Sequence, residues 1–236
     1  MGGGVCTLGT LLAKEFGPFV DYTNIDTDKA VLEKSPGMVV HGSYTNLAKL
    51  FGEQEFNYVF CLNLEDRSRL NQRTIDNMRR DGQGDGFFGG DLVSVTSDAA
   101  YGIRQINGYL VLLNAALVVA NDGKFIRGGV IPTDALKGTK DELAKLGFQP
   151  SEDERVPLSM ETSRLWARYD LQFVGGTLQG SQLEKVAQTY AQNFRLAVFE
   201  RKKEANKGQI RGKIVEASNR LSKLHSFVEA QERFWD

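Results

Sequence analysis

After Gly175-Gly176 the spacing of apolar residues settles at three and a half, and no other feature of the chain limits its fold so strongly. Leu183, Ala187, Tyr190, Phe194 and Ala197 are separated by four and three in turn, and so are Ile210, Ile214, Ala217, Leu221, Leu224 and Val228. This spacing lays one apolar stripe along a helix, as in a packed or coiled-coil seam. Arg201 to Gly208 breaks the register, which predicts a stutter in one long helix or the loop of a helical hairpin. The same stretch is basic. Nine Lys and Arg stand against three Glu from Arg195 to Lys223, or +6, so in a chain of net charge −1 the remainder carries −7. Such asymmetry predicts one surface for an anionic partner.

The preceding residues mix helical and strand signals. Asp26 or Thr27 can cap a short helix over 29–34, and Thr45 to Phe51 predicts another ending at Gly52. Phe56 to Leu64, rich in aromatic and β-branched residues, predicts a strand, and a polar helix over Arg67 to Arg80 follows. Five glycines within 81–91 predict a loop, and Leu92 to Thr96 a short strand. Tyr109 to Ala120 suits either a buried helix or a hairpin turning at Asn121-Asp122-Gly123. Thr139 with Glu142 makes a capping box for a helix through Leu146, Ser151 to Arg155 reads as a charged loop, and Leu165 to Val174 alternates like a strand. The expected class is α+β: a mixed, glycine-looped body with a small sheet over 1–176, then a C-terminal amphipathic helical arm or hairpin over 177–236.

Several functions lack their residues. Cys6 and Cys61 are too few for a disulfide framework and lack zinc-site spacing, which fits a reducing compartment. Tyr109 to Ala120 is shorter than the roughly 20 residues a membrane-spanning helix needs. Gly84-Asp85-Gly86-Phe87-Phe88-Gly89 matches a dinucleotide fingerprint in letters, but in the predicted order helix, loop, strand. Asn24, Asp26 and Asp28 alternate like the opening of a calcium loop, but Lys29 and Ser35 stand where it needs Gly and Glu. His41 and His225 are the only histidines, and no nucleophile elbow accompanies them.

One enzyme resemblance is present. Leu64-Glu65-Asp66, Gly89-Gly90-Asp91, Asp98 and Phe125 to Val130 resemble the palm of nucleotidyl and diguanylate cyclases, over about a third of the chain. It implies magnesium held by Asp66, Asp91 and Asp98, since those families hold the metal against a triphosphate with strand-end carboxylates. Here the Gly-Gly-Asp continues as Leu-Val rather than Glu-Phe.

Without a catalytic constellation, the sequence reads as a non-enzymatic, cofactor-free protein that self-associates: a virus or phage particle component such as a connector, tail or internal ring protein, made in the cytoplasm and assembled into a virion. Leu183, Ala187, Tyr190, Phe194, Ile210, Ile214, Ala217, Leu221, Leu224 and Val228 are the expected contacts with other copies or other particle proteins. Arg201, Lys202, Lys203, Lys207, Arg211 and Lys213 are the expected face for nucleic acid or another anionic partner. The alternatives are the magnesium-dependent cyclase-like enzyme and a cytosolic adaptor that binds one protein through its helical arm.

Overall fold

The computed structural model describes residues 7–17, 20–26, 29–33, 37–53, 55–62, 91–130, 133–173 and 181–234. The predicted helix at Arg67 to Arg80 and the glycine loop at 81–90 lie outside them. Two compact units are each assembled from three stretches: Met1–Leu64, Val111–Glu154 and Leu196–Ile210 form the first, and Glu65–Leu110, Arg155–Arg195 and Arg211–Asp236 the second. The chain is α+β.

The first unit opens with helix α1 (Thr7–Phe16), strand β1 (Thr23–Asp26), helix α2 (Lys29–Leu32) and strand β2 (Met38–His41). β1 and β2 are parallel, with Thr23 opposite Met38 and Asp26 opposite His41. Two parallel strands need a crossover, and the connection containing α2 supplies it. At four residues each, these strands are too short for alternation to announce them in the sequence. A 3₁₀ turn (Tyr44–Asn46), helix α3 (Leu47–Phe51) and strand β3 (Phe56–Leu62) follow. Gly52 ends α3 at φ 60°, a positive φ that glycine adopts without a Cβ clash.

A four-stranded sheet completes the unit, in the order β3, β4 (Val119–Val130), β6 (Phe194–Arg201), β5 (Phe148–Arg155). β3 and β4 run parallel. Asn121-Asp122-Gly123 turns no hairpin. Phe56 faces Val119 and Tyr58 faces Lys124, so two steps along β3 match five along β4 and three residues bulge out. Asp122, at φ 58°, takes the left-handed conformation that such a bulge requires and that Asp tolerates. Ser151 to Arg155 is part of β5, not a loop. β5 lies at the sheet's edge and is exposed except at Phe148, where Pro150 and a run of charges suit an unpaired strand. Helix α5 (Thr133–Lys145) precedes it, and Thr139 lies buried within that helix, accepting from Arg127 Nη1, rather than capping it.

β5 and β6 are antiparallel. The Lys202 and Lys203 N–H groups both donate to the Gly147 carbonyl, at 2.9 and 3.2 Å, whereas Val156 N–H donates to Phe194 at the other end. Phe125 and Phe199 stack at 6.2 Å across the middle of the sheet. With Leu143 and Phe148 they form its core, each 1% exposed or less.

Leu92 to Thr96 and Tyr109 to Val118 belong to one helix, α4 (Asp91–Val118). Ile103, Ile106, Leu110, Leu113 and Leu117 recur at three and four, and that helical period outweighs short runs of strand-favouring residues. In the second unit, α6 (Met160–Phe173) replaces the expected strand. Ser159 caps it, its Oγ accepting from Thr162 N–H at 3.1 Å, and Ser163 and Ala167 are buried one turn apart. The alternation after Leu165 was coincidental. α6 is tied to α7 (Ser181–Asn193) by Arg164, whose Nε and Nη2 meet the two Glu184 oxygens at 2.7 and 3.0 Å.

The C-terminal stretch is not a helical arm, because α7 leads directly into β6, a strand inside the sheet, before α8 (Lys207–Phe234) begins. Within the second unit Ala217 and Leu221 pack on Ile103, Ile106 and Leu110, with Tyr109, Ile214 and Leu224 alongside. Gly102 lets α8 come close: a Cβ there would stand 3.3 Å from Leu224 Cδ1. Among the described residues no helix is long and apolar enough to cross a membrane.

Candidate functional site

The residues expected to contact other subunits are largely consumed by the chain itself. Leu183, Ala187, Tyr190, Phe194, Ile210, Ala217 and Leu221 are buried within the single chain, and Ile214 and Leu224 are half-buried. The Val228 side chain lies outside the described residues.

The residues of the expected cationic face differ in burial and in partners. Arg201 is buried; it donates from Nη2 to the Ala116 carbonyl and lies over the Phe148 ring. Burial lowers its pKa from the usual guanidinium value, and the Glu55 carboxylate opposes that shift. Lys202 pairs with Glu200 at 2.6 Å, and Lys207 with Glu55 at 2.6 Å. Lys203 and Arg211 are exposed, and Lys213 is half-buried. Of the acidic set, Asp66 lies outside the described residues, while Asp91 and Asp98 fall on α4 and their side chains are not described. Among the described residues no three His, Cys, Asp or Glu side chains stand together as metal ligands.

A different constellation forms where β1 and β2 end. In open α/β sheets, ligands bind outside the carboxyl ends of parallel strands, where strand-end side chains and the following loops converge. Asp26 and His41 occupy those ends side by side, in register. The chain turns away from β2 at Gly42, whose N–H donates to the Asp26 carbonyl at 3.0 Å. Ser43 then caps the 3₁₀ turn: its Oγ accepts from Thr45 N–H at 3.3 Å and lies 2.9 Å from Thr45 Oγ1. This turn is held from behind. Asn114 Nδ2 donates to the Thr45 carbonyl at 2.9 Å, and Ala48 N–H donates to Asn114 Oδ1 at 3.1 Å. Thr45, Leu47 and Asn114 are all buried. Asp26 thereby stands at a strand end beside a fixed polar turn, and a carboxylate is a group that can accept hydrogen bonds from hydroxyl groups.

The sequence offered little sign of this site. In the sequence Asp26 reads as a helix cap or as part of a calcium-like alternation, and His41 as one of two histidines without a nucleophile elbow. The available signal was Asn24-Ile25-Asp26, a short strand closing on an acid after a glycine-rich start and a helix.

No family model matches the chain, and no curated protein matches it in sequence. Solved structures do. A Haloferax volcanii protein assigned as a methyltransferase, solved in complex with the Trm112 methyltransferase activator, matches at TM-score 0.51 and 8% identity, over 86% of this chain and 80% of that one. A Galdieria sulphuraria protein assigned as a sarcosine dimethylglycine methyltransferase matches at TM-score 0.50 and 10% identity, over 86% of this chain and 76% of that one. At such identities the likeness is one of fold. The shared fold is that of proteins assigned as enzymes, which overturns the expectation of a non-enzymatic virion component. The expected absence of a cofactor and the magnesium alternative fall with it.

Proposed function

We propose that this protein is a methyltransferase-like enzyme that binds S-adenosylmethionine at the carboxyl ends of β1 and β2. The observation that carries the reading is Asp26 at the end of β1, on the edge where folds of this kind take their ligands. An acidic residue roughly 20 positions after a glycine-rich turn is the usual partner of a cofactor's ribose hydroxyls. Asp26 stands 22 positions after Gly4, the last of three consecutive glycines. Asp26 would hold the ribose, with the turn from Gly42 to Thr45 beside it. When bound, the cofactor supplies an electrophilic methyl group. The chain's own part is to orient it through the Asp26 carboxylate and to limit its freedom with the clamped turn.

A protein partner belongs to the same reading, because the Haloferax structure is itself a complex with an activator protein. Calorimetric titration of the purified protein with S-adenosylhomocysteine tests the cofactor assignment, with NAD as the competing dinucleotide. Saturable binding of the first but not the second, lost in Asp26→Ala, is the expected result. Equal binding by wild type and Asp26→Ala would remove the assignment.

A further inference from the structure

We propose that Asn114 is a positioning residue for the cofactor site, acting through the turn after β2; the inference rests on the reading of that site as one for S-adenosylmethionine. Asn114 belongs to α4, 66 and 69 positions from the residues it bonds, yet it is 1% exposed and uses both ends of its carboxamide on one short stretch. One end accepts from Ala48 N–H, in the first turn of α3, where helix geometry leaves the amide without an intrahelical partner. The other donates to the Thr45 carbonyl, in the turn that Ser43 caps. The two bonds hold Thr45 and Ala48 at a fixed spacing. Because Ser43 bonds Thr45, and Gly42 N–H bonds the Asp26 carbonyl, the chain is tethered from α4 to the Asp26 strand end. A carboxamide suits this task because it is donor and acceptor at once, and no charge has to be buried. A packing residue would have been apolar, like Leu113 and Leu117 on the same helix.

The test compares wild type with Asn114→Asp, which keeps the acceptor for Ala48 but sets a second acceptor and a buried charge against the Thr45 carbonyl, and with the near-isosteric Asn114→Leu, which keeps neither bond. Two readouts are needed: S-adenosylhomocysteine affinity by calorimetry, and amide hydrogen exchange in the ligand-free protein. Both variants are expected to bind more weakly than wild type, Leu by about tenfold or more, the scale of one to two hydrogen bonds. Exchange should quicken over 43–50 while β4 and β6 stay protected. Equal affinity in all three proteins overturns the proposal, and so does faster exchange spread evenly over the whole first unit, which marks a merely structural residue. If wild type binds no S-adenosylhomocysteine, the cofactor reading fails by itself. Exchange then decides the clamp alone: quickening confined to 43–50 supports it, and unchanged exchange removes it.

Discussion

The guanidinium carbon of Arg201 sits 4.7 Å from the centroid of the Phe148 ring, so the last residue of β6 is stacked on the first residue of β5. The same guanidinium donates to the Ala116 carbonyl, one of the last in α4, where helix geometry leaves carbonyls without partners and the dipole favours a cation. Arg201 thus joins a helix end to two strands of the sheet. Its charge serves the fold.

Truncation at this position should be costly. Arg201→Ala leaves the Ala116 carbonyl unpaired in the interior and empties the space over Phe148, and a loss of about 3 kcal/mol in denaturant unfolding is expected. Arg201→Lys should not restore it, because an ammonium cannot both stack and reach the carbonyl with a planar donor. Full stability in Arg201→Lys would show that charge alone matters.

Glycine positions give opposite signs. Gly147 has φ 88°, and a Cβ there would lie 2.8 Å from the Lys203 carbonyl oxygen, a backbone atom that cannot swing aside. Gly147→Ala should therefore cost about 2 kcal/mol or more. Gly212, inside α8, meets nothing within 4 Å, and Gly212→Ala should gain up to about 1 kcal/mol. Melting temperatures of the two variants check both signs. A stabilised Gly147→Ala would mean that Gly147 does not hold a positive φ against Lys203.

The Glu200 and Lys202 pair predicts a pH effect whose sign can be worked out. The hydrogen bond from Lys202, the largest cause, lowers the Glu200 pKa in the folded protein, with smaller Coulombic help from Lys202 and Lys124. A carboxyl with a depressed folded pKa contributes stability above its unfolded value of about 4.3, and that contribution is lost as pH falls through the folded value. A carbonyl chemical-shift titration should find Glu200 below the ordinary range, and Lys202→Met should return it there. Neither side chain is buried, so the pair's effect on global stability is small.

What the sequence disclosed and what it hid follow from element length and from neighbours. β3 and α3 were legible because aromatic enrichment and a terminal glycine act locally. The seam of α8 was legible as a stripe, but a stripe does not say what covers it, and the chain's own α4 does. β6 was hidden because Phe194 and Ala197 continue the three-and-four spacing of α7 by chance, although Phe-Arg-Leu-Ala-Val-Phe also suits a strand. The candidate site was hidden most deeply. Asp26 and His41 are 15 positions apart, and only the parallel pairing of two four-residue strands brings them side by side.

Leu221 separates an internal seam from one between subunits. It is 4% exposed in the single chain and packs with Ala217 against Ile103, Ile106 and Leu110. Leu221→Ala removes buried methyl groups at a helix crossing that can collapse only partly, so a loss of about 2 to 5 kcal/mol is expected. Because α4 supplies the opposite wall, the loss should not depend on protein concentration, and the native mass by light scattering should match that of wild type. If α8 instead met another subunit through this face, Leu221→Ala would lower the mass and its unfolding midpoint would rise with concentration, since association stabilises by mass action. Either of those results would return Leu221 to an intersubunit role. Equal mass with a concentration-independent loss would place the residue in the core of the second unit.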